Sequence, residues 1–373
     1  MLRRAETAHI LIFALLAFAG EVGVSRAKAD PIPLSPTAQA SGAVLSSSYG
    51  IEFVTIGAAG NAPWNPPEWQ GFSDAWGRGS VGYDYRISRD EVSTAQWTRF
   101  FNAWGYVSAT QGAIPHVQLP GRWGATAAAN PYGAGQGFAV TPGRDNWGVG
   151  GVDWRTCAIF CNWLHNNEAL TRDAFMNGAY DVSTFGYVGG GNVFTDQFAH
   201  NPGARFWIPT WDEWLKAGHY DPNRNGPGQG GWWTYSITSD TAPVGGLPSF
   251  MGGSGQANFG FDTDARLEYQ VPLGSYPNFQ SPWGLLDMSG MTAEWTEDVQ
   301  TIGAVNRRRI EGSYWSSSSG NVNADRLWAL GGTDYPNDPF LGWGFRIAAA
   351  VPAPGVGGIL VLSRLVMQRR QRK

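Results

Sequence analysis

What most constrains this chain is a missing pattern: through its middle no stretch sustains a 3.6-residue apolar period long enough for a helical bundle. In its place stand 51 glycines, 23 prolines and 19 tryptophans, while charged residues make up only 15%. Glycine and proline punctuate turns, and aromatic rings supply large buried areas. The composition therefore predicts an ordered, loop-rich fold of short elements and argues against disorder. The chain has 373 residues. Between two end segments about 300 remain, enough to bury a large core in one domain or two. A net charge of -4 without a basic stripe argues against nucleic acid as a partner.

Residues 1–29 read as a signal peptide for export. Arg3 and Arg4 give a positive start, Ile10 to Ala19 is an apolar run, and Ala27-Lys28-Ala29 is a small-x-small cleavage site before Asp30. An apolar run this short cannot cross a bilayer core of about 30 Å as a helix. Residues 30–50, rich in Pro, Ser and Ala, read as a linker. Residues 350–373 hold Val351-Pro352-Ala353-Pro354, an apolar stretch from Val356 to Met367 interrupted by Arg364, and a basic end at Arg369, Arg370, Arg372 and Lys373. That order resembles the PEP-CTERM sorting signal of Gram-negative bacteria, with Ala353 where the type motif has Glu. The resemblance implies sorting by an exosortase, membrane contact only transiently through this tail, and a destination in the periplasm, at the cell surface or in the extracellular matrix.

Between the ends, Ile51 to Ile56 alternates as a strand, and residues 79–88 read as another. Glu91 to Trp104 reads as a helix, with Ser88 and Glu91 placed as a capping box. Residues 105–150 show no period and read as a long ordered loop. Val152 to Asn166 and Thr210 to Gly218 read as two further helices, and 220–347 as short strands with Gly-rich turns. The expected class is α+β, one domain over 51–349.

Five segments in this order resemble the formylglycine-generating enzyme (sulfatase-modifying factor) family. They are Tyr85-Arg86-Ile87 through Glu91-Val92 and Gln96-Trp97 to Phe100; Val152 to Leu164; Phe206 to Trp214; Leu273-Gly274-Ser275 through Gly284-Leu285-Leu286-Asp287-Met288 to Glu294-Trp295-Thr296; and Gly344-Phe345-Arg346-Ile347-Ala348. The resemblance implies an elaborated C-type-lectin-like fold with short helices, short strands and long ordered loops. The run Trp214 to Pro222 is further similar to an exported, PEP-CTERM-sorted branch.

Aerobic enzymes of that family oxidise a substrate cysteine through two Cu(I)-binding cysteines. Here the matching run is Glu311-Gly312-Ser313-Tyr314-Trp315-Ser316, with Ser316 at the first cysteine position and Asn321 at the second. The chain's two cysteines, Cys157 and Cys161, lie elsewhere. A serine hydroxyl cannot replace a thiolate on a soft cation, so neither copper nor formylglycine formation is expected. Cys157 and Cys161, four apart on a helix, read as core residues, the alternative being a metal or redox pair. The resemblance also implies structural Ca²⁺ held by the Asp287 and Glu294 carboxylates with the Gly290 and Thr292 carbonyls, a donor set suited to a hard cation. The alternative is pairing of both acids with arginines. A second calcium set would take Asn258, Phe259 and Asp264, with Asp262 as the other acid.

His116, His165, His200 and His219 show no metal-binding spacing, and the glycines at 189–191 and 226–231 form no phosphate loop. Trp64, Trp69, Trp76, Trp123, Trp147, Trp232 and Trp233 read as loop packing or as a surface for a peptide or glycan. Three functions compete: a calcium-stabilised binding or surface module, an enzyme of the family (oxidoreductase or nonhaem-iron type) with other chemistry, and an accessory protein of sulfatases.

Overall fold

The computed structural model describes residues 32–66, 73–189, 193–260, 270–315, 324–329 and 331–352. The signal peptide, most of the sorting tail, Trp69, Asp262, Asp264, Ser316 and Asn321 lie outside the described residues.

The chain opens with α1 (Pro36–Ala40), β1 (Leu45–Ser48), β2 (Ile51–Ile56), β3 (Tyr85–Ser88) and α2 (Thr94–Gln111). A hairpin of β4 (Ala125–Ala129) and β5 (Gln136–Val140) follows, then α3 (Trp154–His165) and α4 (Arg172–Met176). Next come β6 (Tyr187–Val188), β7 (Val193–Phe194), β8 (Phe206–Trp207), α5 (Trp211–His219), β9 (Tyr220–Asp221) and β10 (Gly231–Trp232). The last third carries β11 (Ala293–Ile302), β12 (Val305–Glu311), β13 (Gly332–Asp334), β14 (Trp343–Gly344) and β15 (Ala348–Ala350). The architecture is α+β with a C-type-lectin-like fold.

The main sheet runs β1-β2-β3-β15-β8, all antiparallel, so the last strand slots between β3 and β8 and ties both ends of the domain together. A second sheet, β13-β12-β11-β14, carries the site loops. Pairing of β11 with β12 slips between Trp295 and Val299; such a bulge bends and re-aims a strand.

Three expectations change. Residues 32–50 are not a spacer: α1 and β1 fall there, and β1 pairs with β2 from Leu45↔Val54 to Ser48↔Ile51. The second helix begins at Thr94, capped by a reciprocal Ser93–Gln96 box. Ser88 instead accepts the Ile347 N–H, and Glu91 turns into the core. The stretch 105–150 contains the end of α2 and the β4–β5 hairpin. That hairpin docks on α2 because Gly105 lacks a side chain: a Cβ there would lie 2.0 Å from the Gln136 carbonyl oxygen.

The helical side is cemented by rings. Trp97, Phe100 and Phe101 on α2 meet Phe160 and Trp163 on α3, and Phe345 closes the group. Trp97 and Phe160 have centroids 4.8 Å apart; such pairs contribute about 0.5–1.5 kcal/mol beyond area burial. Cys157 and Cys161 lie in the same helix, both 0% exposed, as free thiols. Among the described residues no helix is long and apolar enough to cross a membrane.

Candidate functional site

The loop before β11 is held in a conformation that its own residues resist. Asp287 (φ 53°) and Met291 (φ 63°) are non-glycine residues in the left-handed region. Between them Gly290 has φ 79°, and a Cβ there would lie 2.5 Å from the Asn258 carbonyl oxygen. The loop is locked by long-range bonds: Met291 N–H donates to the Asn258 carbonyl (2.9 Å), Gly290 N–H to Ser313 Oγ (3.0 Å), and Trp315 N–H to the Met291 carbonyl (3.0 Å).

Arg346 is the hub beneath the loop. It is 0% exposed. Its Nε and Nη2 donate to the two carboxylate oxygens of Glu294 at 2.6 Å each. Its Nη1 reaches the Ser88 and Arg89 carbonyls, and Nη2 also reaches that of Leu286 (3.2 Å). One guanidinium thus joins β3, the 286–288 loop and β11. Trp214 Nε1 donates to Glu294 Oε2 (2.7 Å). Bidentate arginine–carboxylate pairs combine strength with fixed geometry.

Glu91 adds a second buried acid. Its Oε1 accepts the Thr292 N–H (3.0 Å), while Oε2 is buried with no hydrogen-bond partner. Burial, then the nearby Glu294 charge, push its pKa well above the ordinary value, which favours the neutral acid. Asp287 Oδ2 accepts the Gly274 N–H (2.6 Å); burial and then Asp90 raise its pKa to about 7. Beside them Asp325 accepts from the backbone N–H (2.7 Å) and hydroxyl (2.9 Å) of Ser313, and burial lifts it to about 6.

The structure brings the two expected calcium loops side by side, through the parallel bridge between Asn258 and Gly290. Several described members of the two sets already have protein partners. Both Glu294 oxygens are taken by Arg346 and Trp214, and one Asp287 oxygen by Gly274. The Asn258 side-chain nitrogen lies 3.0 Å from the Met291 sulfur, and the Phe259 carbonyl oxygen packs against Gly245, 2.3 Å from where a Cβ would stand. Among the described residues no group of three or more His, Cys, Asp or Glu is placed to hold a metal ion. The pairing of Glu294 with an arginine is what the structure realises, with Arg346 supplying the positive charge.

Sequence reasoning missed the roles of Glu91, Arg346, Trp214 and Asp325. Arg346 was visible as the middle of Gly-Phe-Arg, but nothing local names its partner 52 residues away. His219 is 1% exposed, held by the Trp233 carbonyl (3.1 Å), and burial lowers its pKa to about 4; it is a packing residue. Most of the loop tryptophans also pack: Trp64 stacks on Trp328, Trp123 meets Phe138 edge-on, and Trp147 and Trp233 lie under Arg144 and Arg224. Trp76 differs, being 48% exposed.

Solved structures are similar to this chain. The crystal structure of CarF matches with 19% identity and a TM-score of 0.50, covering 81% of this chain and 99% of its own. Treponema denticola variable protein 1 matches at 16% identity and TM-score 0.48, covering 83% and 99%. PvdO from Pseudomonas aeruginosa matches at 15% and 0.43, covering 81% and 95%. No curated protein sequence matches the chain. The family model described as the sulfatase-modifying factor enzyme 1-like domain matches residues 78–351. Together with the Glu294–Arg346 hub that joins its motif segments, this match places the chain in the sulfatase-modifying factor enzyme 1-like family.

Proposed function

We propose that this chain is an exported member of its family that does not form formylglycine and acts as a binding or surface module. The observation that carries this reading is the position of its sulfur. The only two cysteines are Cys157 and Cys161, both 0% exposed inside α3. Burial raises both thiols well above their ordinary pKa, so neither is a ready thiolate. Ser316 and Asn321 stand at the positions where the family's oxidases keep their copper thiolates, and hard hydroxyl and amide oxygens do not hold Cu(I).

The reading also draws on what surrounds those positions. Ser313 and Trp315 are fixed by Asp325 and Met291, and Glu294 is paired with Arg346. Such a scaffold is suited to presenting a surface, with Trp76 as an exposed aromatic platform. Residues 1–29 and 350–373 supply export and sorting.

The test is incubation of the purified chain with a CxPxR-type cysteine peptide and Cu(I) under oxygen, read by mass spectrometry. The expected result is an unmodified peptide; formylglycine product overturns the proposal. Sequencing the N-terminus of the chain recovered from outside the cytoplasm checks export, with cleavage expected after Ala29.

A further inference from the structure

A second charged cluster lies away from that hub, where the segment 195–204 crosses β11. Glu297 of β11 is 2% exposed. Its Oε1 accepts the His200 backbone N–H (2.6 Å) and the Tyr180 hydroxyl (2.8 Å). The His200 ring Nδ1 stands 3.0 and 3.1 Å from the two Glu297 oxygens. The imidazole lies nearly parallel to the Trp207 indole, with centroids 4.6 Å apart and planes at 20°. The His200 side chain is 22% exposed, so solvent protons reach it while the carboxylate stays dry.

The other groups around the pair are accounted for. Arg308 on β12 spends its Nη1 on the Glu297 carbonyl (2.6 Å) and its Nη2 on the Gln197 carbonyl (2.7 Å), and stacks 3.5 Å over Trp154. The Glu213 charge on α5 also acts on the ring, and Glu213 accepts from Trp207 Nε1 (3.0 Å) and the half-exposed Tyr83 (3.1 Å). Tyr180 and Cys161, both fully buried, complete the surroundings of Glu297. The positive charge closest to the Glu297 carboxylate oxygens is therefore the imidazolium itself.

We propose that His200 and Glu297 form a proton-operated clasp, in which the imidazolium fastens segment 195–204 to β11 and loss of its proton loosens that fastening. Burial opposes the charged ring, but the Glu297 hydrogen bond and charge outweigh it and raise the His200 pKa above the ordinary value. A group whose pKa is raised on folding contributes fully below its unfolded value, and the contribution fades as pH rises through the folded one. Among the histidines of the described residues His200 alone behaves so: His116, His165 and His219 are all lowered, chiefly by burial.

The test uses the whole chain. An NMR titration of the imidazoles, with His200 identified by its contact to the Trp207 ring, should find His200 titrating highest of these four and above about 6.5. Amide exchange in 195–204, corrected for the intrinsic rate, should show protection falling several-fold as pH rises through that midpoint. His200→Gln should show the lower protection at every pH. A His200 midpoint at or below about 6.5, flat protection in the wild type, or an unchanged pH response in the variant overturns the clasp. The wild-type titration decides the matter even where the variant does not fold.

Discussion

The helical side of this molecule and its loop side are equally dry, yet they are held by different forces. Between α2 and α3, Trp97, Phe100, Phe160 and Trp163 are at most 1% exposed and pack ring against ring. Around the 287–294 loop, Glu91, Glu294 and Arg346 are no more than 3% exposed and are held by charge and hydrogen bonds. Apolar burial is non-directional and, with no titratable group in it, indifferent to pH. A buried ion pair is directional, costly to desolvate, and fails sharply when one partner is removed. Two kinds of core in one domain therefore predict two kinds of fragility.

The largest effect belongs to the hub. Arg346→Ala breaks a buried pair, worth about 3–5 kcal/mol, and strips backbone carbonyls of their donor at about 1–3 kcal/mol more. Little folded protein should accumulate; a normal urea midpoint would show that the hub is dispensable. On the aromatic side Phe160→Ala should cost about 3–5 kcal/mol with the same pH profile as the wild type, and a changed profile would erase the contrast between the two cores.

The next effect is pH. Asp287 rises to about 7 and Asp325 to about 6 on folding, both chiefly through burial. In each case the folded state binds more protons than the unfolded one between the ordinary aspartate value and the raised one. Stability should therefore fall as pH climbs from about 3.8 to about 7 and level off above that, as these acids are forced to ionise in the core. Asp287→Asn should flatten that slope in urea denaturation, and a slope left untouched would remove Asp287 as its source. Smallest of all is the response to calcium. Because Arg346 occupies Glu294, melts with EGTA and with millimolar Ca²⁺ should coincide; a clear upward shift with Ca²⁺ would restore the loop as a cation site.

Legibility in the sequence followed the range of the interaction. The α5 helix could be read because its signals are local: Thr210 caps it and Glu213 closes the box three residues on. Glu91 misled for the same reason. Ser88 and Glu91 have box spacing, but so do Ser93 and Gln96, and the second pair forms the cap. Glu91's partner is the Thr292 N–H, 201 residues away. The β4–β5 hairpin was missed because Ala125–Ala129 carries no apolar alternation and lies mostly exposed; docking on α2 at Gly105, not its own pattern, holds it. Spacing singled out Asp287, Gly290 and Glu294 as one loop, but it reports which residues are neighbours in sequence and not that Arg346 lies against Glu294.

The sequence by itself determined the family, the α+β class, the three main helices and the position of every thiol. These depend on residue identity and short-range order, which a linear reading contains. Only the tertiary structure decided that Leu45–Ser48 joins the sheet, that Arg346 closes on Glu294, and that His200 lies on Glu297. Each of those contacts joins segments far apart in the chain, and a buried charge takes its meaning from whichever partner the fold brings to it.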